Sequence, residues 1–117
     1  MKDLAPRVFR QRLLIDCIYH VRLDEKSIKK FLGGLAKELG QKTYDKASVH
    51  TTPGSKKINS GYDAFIPLTT SGIYMGVWPK AKFVSIVVYT CKKFEPNKAI
   101  KFARKTLRAS RLEYREF

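Results

Sequence analysis

Few residues in this chain have the side chains that most often bind metal ions or act as nucleophiles. There are two cysteines, Cys17 and Cys91, and two histidines, His20 and His50. Neither cysteine belongs to a C-x-x-C pair, and no zinc site of familiar ligand spacing can be assembled from these four residues. A Ser-His-Asp arrangement is not recognisable either. We therefore expect a protein without a metal, whose chemistry depends on other groups.

Length and composition exclude several classes of protein. The chain has 117 residues, of which 44% are hydrophobic and 29% charged, as is typical of one folded globular domain. No apolar run approaches the ~18 residues of a membrane span. The first six residues, M-K-D-L-A-P, lack the apolar segment of a secretory signal, so we expect reduced thiols and a cytoplasmic protein. A multidomain enzyme, a membrane protein and a collagen-like fibre are excluded.

The charge of the chain keeps an anionic partner under consideration. There are 24 basic and 10 acidic side chains, a formal net charge of +14. Nine basic and three acidic residues lie between Lys92 and Phe117. This concentration fits either a nucleic-acid surface or a basic, solvated helix face, and we favour the helix face because no block of like charges forms a tail.

The first half of the chain predicts a strand, a helix and a second strand. Every odd position from Leu13 to Leu23 is apolar, which indicates a strand with one buried face. Asp24 is a favourable N-cap for a helix whose apolar stripe ends at Leu39, and Gly40 follows where a C′ glycine belongs. Residues 42–52 predict a strand, and residues 52–57 (T-P-G-S-K-K) predict a loop.

The second half predicts three strands and a helix. Two apolar strands, at about 61–69 and 72–78, are separated by so few residues that a hairpin is the simplest connection. The strand at 82–91 is apolar on both faces in its middle, so we expect it to be central. Glu95-Pro96 opens a second helix, with its basic residues in water. The fold class is therefore α+β, a two-layer sandwich of a mainly antiparallel sheet with two helices on one face. Residues 1–117 are expected to form one domain.

The stretch from Tyr62 to Leu112 resembles the small prokaryotic S-adenosylmethionine decarboxylases, which make their own pyruvoyl group. In outline that family reads S-G-V-V-V-I-x-E-S-H-L-T-I-H-T-W-P-E, then a strand ending F-T-C, then D-P-W-K-A and a helix. Residues 63–80 here read D-A-F-I-P-L-T-T-S-G-I-Y-M-G-V-W-P-K. They are followed by V-V-Y-T-C at 87–91 and E-P-N-K-A at 95–99. No gap is needed between Ser71 and Pro79.

The resemblance implies a specific chemistry. In the family a serine hydroxyl attacks the preceding carbonyl, the chain is cleaved, and a pyruvoyl group remains on the new N-terminus as an electron sink for decarboxylation. Ser71 matches that serine, so the cleaved bond would be Thr70–Ser71. Cys91 matches the cysteine that returns a proton, and Trp78 matches the tryptophan near the site. The family also implies a homodimer and a place in polyamine (spermidine) biosynthesis.

The departures from the family include four polar groups around the predicted reaction centre. The histidine directly after the serine is Gly72, and the histidine five residues after it, which assists processing, is Gly76. Asp63 stands where the family has a second serine, and Lys80 replaces the glutamate after Trp-Pro that is a candidate ribose partner. The groups available to replace the imidazoles in processing or substrate contact are Asp63, Tyr74 and Tyr89.

Three functions remain open from the sequence. The first is a pyruvoyl-dependent decarboxylase (a lyase) acting on S-adenosylmethionine or, because Lys80 does not suit a sulfonium, on a related smaller amino acid. The second is an unprocessed relative that binds a ligand or a partner. In that case Ser71 is a turn hydroxyl, Cys91 an inert core thiol and Trp78 a packing aromatic. The third is a basic nucleic-acid-binding module, with Arg104, Lys105 and Arg108 in contact with phosphates.

Overall fold

Six strands form one antiparallel sheet and two helices cover one of its faces in the computed structural model, which describes residues 1–52 and 60–117. The order of the strands across the sheet is β2-β3-β4-β5-β1-β6. The elements are β1 (Gln11–Ile18), α1 (Glu25–Glu38), β2 (Ser48–Thr51), β3 (Tyr62–Leu68), β4 (Ser71–Trp78), β5 (Phe83–Thr90), α2 (Pro96–Thr106) and β6 (Arg111–Glu116), with a 3-10 turn at Pro79–Ala81. The α+β class, the antiparallel sheet and the central position of β5 are confirmed.

Strict alternation along the strands separates the two faces of the sheet. In β1, Leu13, Ile15 and Cys17 are at most 2% exposed, while the residues between them are half-buried. Alternate residues of β3, β4 and β5 join them in one core beneath the helices, because side chains along a strand point to opposite faces. We call the other face, which neither helix covers, the open face.

Helix α1 begins and ends at the residues that the sequence predicts. The Ser27 amide donates to the Asp24 carboxylate (2.9 Å), and the Asp24 amide donates to the Ser27 hydroxyl (2.8 Å), forming a capping box. At the other end Gly40 has a φ of +68°, which glycine adopts without strain. The chain therefore turns sharply out of the helix toward the hairpin between β3 and β4.

Helix α2 begins at Pro96 as predicted and buries Ala99, Ile100 and Ala103. It packs against α1 through Phe102, whose ring lies 5.5 Å from the ring of Phe31. Among the residues that the structure describes, no helix is long and apolar enough to cross a membrane.

Strand β1 is shorter than the predicted strand at 13–23. Its pairing with β5 ends at Ile18, after which the Tyr19 amide donates to the Lys82 carbonyl and the His20 amide to the Leu107 carbonyl. The chain thus leaves β5 and turns toward the end of α2. The apolar alternation nevertheless continues, because Val21 and Leu23 pack against the core without being in a strand.

Two further predictions need correction. The strand predicted at 42–52 is confined to Ser48–Thr51, and Thr43 instead forms an isolated bridge with Leu68. Strand β6 was not predicted, because only Leu112 and Tyr114 interrupt its charged residues. The predicted loop at 52–57 lies, apart from Thr52, outside the described residues.

Candidate functional site

The predicted cleavage site lies at a tight turn between two paired strands. Thr69 and Thr70 form the turn, and Leu68 pairs with Ser71 across it. Ser71 is therefore the first residue of β4, not part of the connection as the sequence predicts, and it also pairs with Thr90 on β5. Its side chain is exposed. Its φ is +134°, in a region that L-residues rarely adopt, so the backbone at Ser71 is strained.

The carbonyl of the candidate scissile peptide has a hydrogen-bond donor. The backbone amide of Cys91 donates to the Thr70 carbonyl oxygen at 2.8 Å. Cys91 follows directly after β5, whose last residue pairs with Ser71, so the sheet brings these residues together. Because the donor is a backbone group directly after an ordered strand, its direction is fixed by the fold.

The two cysteines have opposite environments. Cys91 is exposed, contrary to the inert core thiol considered from the sequence. Cys17 is buried, and burial, with a smaller contribution from Asp16, raises its pKa to about 11. Only the thiol beside the candidate cleavage site is therefore open to solvent.

Sequence reasoning missed Gln41, which contacts the turn from the end of α1. The hydroxyl of Thr70 donates to Gln41 Oε1 at 2.6 Å. The Thr69 amide donates to the Lys42 carbonyl at 2.8 Å, so the segment after α1 runs beside the turn. No motif marks Gln41; the only sequence signal is its position directly after the helix-ending glycine.

Asp63 and Tyr74 form a pair on the open face. The Tyr74 hydroxyl donates to Asp63 Oδ1 at 2.7 Å. Burial, followed by this hydrogen bond and the charge of Asp63, raises the pKa of Tyr74 to about 12. The phenol is thus held in its neutral, proton-bearing form.

Aromatic side chains occupy the space at both glycines that replace the family's histidines. A Cβ atom at Gly76 would lie 2.8 Å from Cη2 of Trp78 and 2.8 Å from the Tyr74 hydroxyl oxygen. A Cβ atom at Gly72 would overlap the ring of Phe65. A histidine at either position would therefore require these side chains to move.

The structure does not bring the Asp63–Tyr74 pair to Ser71 of the same chain. Asp63 pairs with Gly76, five residues further along β4 than Ser71, which corresponds to about 17 Å at ~3.3 Å per residue. Of the three groups considered as replacements for imidazole, Tyr89 lies nearest, because it pairs directly with Gly72.

Trp78 and Lys80 also lie at the far end of β4 from Ser71. The Trp78 ring packs on Phe83, with ring centres 5.3 Å apart, so Trp78 has a packing role in this chain. Lys80 belongs to the 3-10 turn that follows. The sequence-predicted site is thus divided in one chain between two ends of the same strand.

A polar row crosses the open face between these two ends. The strand registers place its members side by side, and Oδ1 of Asp16 is buried there with no hydrogen-bond partner among the described residues. Within residues 1–52 and 60–117, no three His, Cys, Asp or Glu side chains are grouped closely enough to hold a metal ion. The polar side chains of the row are those of His50, Asp63, Ser85, Asp16 and Glu113, and Gly76 lies between Asp63 and Ser85.

Comparison with known proteins gives one family and one fold. A family model described as S-adenosylmethionine decarboxylase matches residues 14–117. The crystal structure of the adenosylmethionine decarboxylase from Aquifex aeolicus VF5 superposes with a TM-score of 0.72 at 20% sequence identity, over 94% of this chain and 89% of that chain. At this identity the superposition concerns the fold alone. No curated protein matches the sequence significantly.

Proposed function

This chain belongs to the S-adenosylmethionine decarboxylase family, and from that premise we propose that it cleaves itself between Thr70 and Ser71 and then decarboxylates S-adenosylmethionine or a related amino acid. Decarboxylation in polyamine biosynthesis is the general role of the family. Residues 1–117 would act as one such domain, in the cytoplasm.

One observation carries the proposal: the strained residue and the polarised carbonyl belong to the same peptide bond. Attack by Ser71 Oγ on the Thr70 carbonyl carbon places negative charge on the carbonyl oxygen, 2.8 Å from the Cys91 amide nitrogen. A preorganised donor at that position stabilises the developing oxyanion. The φ of +134° at Ser71 raises the energy of the intact chain, so strain is relieved as the peptide becomes an ester.

The bonds of the cleavage balance without an outside oxidant or reductant. The Oγ–C bond to Thr70 forms as the peptide C–N bond breaks, and the hydroxyl proton passes to the freed nitrogen. Loss of the Ser71 α-proton then breaks the Cβ–Oγ bond and leaves Thr70 as a carboxylate. Water converts the remaining residue to a pyruvoyl group with release of ammonia. Of the candidate proton carriers, Tyr89 has the backbone nearest to Ser71, because it pairs with Gly72, although the alternation of the strand directs neighbouring side chains to opposite faces.

When present, a pyruvoyl group at position 71 supplies an electron sink for decarboxylation. The chain's own contribution to that step would be a proton at the carbon that loses carbon dioxide. The Cys91 thiol is suited to this role, because it is exposed and follows the residue paired with Ser71. Lys80 in place of an acidic residue supports a substrate smaller than S-adenosylmethionine, since a lysine does not favour a sulfonium cation nearby.

A second copy of the chain would complete the site. Phe65 and Tyr89 on the open face are 44% and 38% exposed, so this face has aromatic surface to bury. Asp63 and Tyr74 are too far from Ser71 in one chain, but a homodimer with facing sheets could bring the partner's pair to it. A monomeric mass in light scattering at micromolar concentration would exclude this arrangement.

Mass spectrometry under denaturing conditions tests the proposal directly. We expect the wild type to yield fragments 1–70 and 71–117, and Ser71→Ala to stay whole because no other atom at that position can attack. Cys91→Ala should cleave normally but release carbon dioxide from S-adenosylmethionine, or from smaller amino acids, more slowly. A wild-type chain that remains whole refutes the proposal.

A second function is favoured by the filled space at Gly72 and Gly76. The family's two histidines are absent at these positions, and aromatic side chains fill their space. Such a chain could persist as an unprocessed protein that binds a ligand or partner through the open face. The same mass measurement distinguishes the two, since this function requires no cleavage.

A further inference from the structure

The end of helix α1 fixes the backbone of Gln41 beside the hairpin turn. The Gly40 amide donates to the Lys37 carbonyl at 3.0 Å, and the Gln41 amide donates to the Ala36 carbonyl at 2.9 Å. These two bonds form a Schellman motif, with Gly40 in the left-handed conformation. Gln41 therefore leaves the helix in one defined direction.

The side chain of Gln41 is buried and only half satisfied. The residue is 6% exposed, and its Oε1 accepts the bond from the Thr70 hydroxyl at 2.6 Å. Its Nε2 is buried with no hydrogen-bond partner in the described part of the chain. A buried amide donor without an acceptor is unfavourable, so its retention needs a reason.

Thr70 is consequently held from two sides. Its hydroxyl is bound by Gln41, from the segment after α1, and its carbonyl by the Cys91 amide, from the segment after β5. The preceding residue is fixed as well, by the bond from the Thr69 amide to Lys42. With both the side chain and the carbonyl bound, the Thr70–Ser71 peptide cannot rotate to relax the strain at Ser71.

We propose that Gln41 is a positioning residue for self-cleavage: through Thr70 it holds the scissile peptide in its strained orientation, and its unpaired amide donates to the Thr70 carboxylate that cleavage creates. This inference rests on the proposed function. The product offers the orphan donor an acceptor, because cleavage turns the Thr70 carbonyl into a carboxylate on the residue whose hydroxyl Gln41 already binds.

The test compares the rate of cleavage of newly synthesised protein, followed by mass spectrometry after cell-free synthesis. Thr70→Val and Gln41→Met, which each remove the hydrogen bond, are expected to slow cleavage at least tenfold. Thr70→Ser, which keeps the hydroxyl, should stay within about twofold of the wild type. Gln41→Glu keeps an acceptor for Thr70 but places a carboxylate beside the new one, so it should also slow cleavage.

The double variant Thr70→Val/Gln41→Met separates positioning from general damage. If the two residues act through one hydrogen bond, the double variant should cleave no more slowly than the slower single variant. Urea midpoints of the same substitutions in the uncleavable Ser71→Ala background show whether stability changes in parallel. Slow cleavage in a variant whose urea midpoint is unchanged is the readout that loss of folding would not produce.

The outcomes distinguish this inference from the proposed function. A wild type that stays whole overturns both. A wild type that cleaves, with Thr70→Val and Gln41→Met cleaving at the same rate, overturns the role of Gln41 alone. Additive slowing in the double variant, or slowing that follows the urea midpoints, also overturns it.

Discussion

Tyr74 donates a hydrogen bond to Asp63 across strands β3 and β4, and its hydroxyl oxygen occupies the space in front of Gly76. In the family a serine and a histidine stand at positions 63 and 76. Here the Asp63 carboxylate and the hydroxyl of Tyr74, which comes two residues before Gly76, lie in the same place. The pair keeps polar hydrogen-bonding groups there. It replaces the family's imidazole, which titrates near neutrality, with the phenol of Tyr74, which does not.

The first prediction is that Tyr74 ionises only at about pH 12. Asp63→Asn should lower its pKa toward the ordinary value of 10.0, because the charge and part of the hydrogen bond are lost. Ultraviolet titration measures this, and Tyr74→Phe identifies the transition among the six tyrosines. Since the pKa is raised in the folded state, the stability that the pair confers is complete below pH 10.0 and is lost toward pH 12. A Tyr74 transition unchanged in Asp63→Asn would contradict the pairing.

The second prediction concerns the strain at Ser71. Ser71→Gly and Ser71→Ala both prevent cleavage, but only glycine adopts a φ of +134° without penalty. We expect Ser71→Gly to be more stable than Ser71→Ala by roughly 1 kcal/mol, after allowing for the greater chain entropy of glycine in the unfolded state. Urea denaturation of the two uncleaved proteins gives the difference. Equal midpoints would mean that the turn is not strained.

The third prediction uses the adjacent glycines of α1 as a matched pair. A Cβ at Gly33 would meet no atom within 4 Å, whereas a Cβ at Gly34 would lie 2.9 Å from Cζ of Phe102. Gly33→Ala should therefore stabilise the protein by about 1 kcal/mol, the gain in helix propensity. Gly34→Ala should gain less or destabilise, because the Phe102 ring must move. Thermal midpoints that rise equally would show that the helices are not in close contact.

The fourth prediction is that iodoacetamide labels one cysteine of the folded protein. Cys91 is exposed. Burial raises the pKa of Cys17 to about 11 and keeps the reagent from reaching its thiol. At about pH 8 we expect one adduct, at Cys91, in buffer and two in urea. Labelled protein should lose decarboxylase turnover if Cys91 returns the proton. An adduct at Cys17 in buffer would argue against the buried β1.

The fifth prediction addresses three exposed basic residues at the end of α2: Arg104 and Lys105 in its last turn, and Arg108 just after it. If they contact phosphates, DNA affinity should fall linearly on a log–log salt plot, and removing the three residues should flatten the slope by up to about three phosphates' worth, ~0.9 each. A solvated helix face predicts no measurable binding at about 150 mM salt, and this is the result that we expect.

Local signals account for the parts of the fold that the sequence predicts. Asp24 and Gly40 mark the ends of α1 because capping depends on residues a few positions apart. The central position of β5 follows from its apolar residues on both faces. Strand β6 was missed because its partner, β1, lies about a hundred residues earlier, and its own pattern carries only two uncharged residues.

The candidate site could be predicted only where a motif marks it. Thr70, Ser71 and Cys91 were found through the family pattern, and the sheet brings them together. The contact of Gln41 with Thr70 joins residues 29 positions apart and depends on how α1 ends over the hairpin. The Phe65 ring occupies the space in front of Gly72 through packing between strands, and neither residue alone predicts this contact.

The order of the strands has a consequence for the molecularity of unfolding. Strand β1 belongs to the segment before Thr70, yet it lies between β5 and β6, which belong to the segment after Ser71. A break at the β3–β4 turn would thus give two interleaved chains that separate only when β1 is withdrawn from both neighbours. Refolding of the cleaved protein would then be bimolecular, so the midpoint of its unfolding would rise with protein concentration. The uncleaved Ser71→Ala chain keeps β1, β5 and β6 on one covalent chain, so its midpoint would lack this contribution. Because Cys91 comes after β5, the Thr70 carbonyl also lacks its donor until that strand has been synthesised, so cleavage would have to wait for most of the chain.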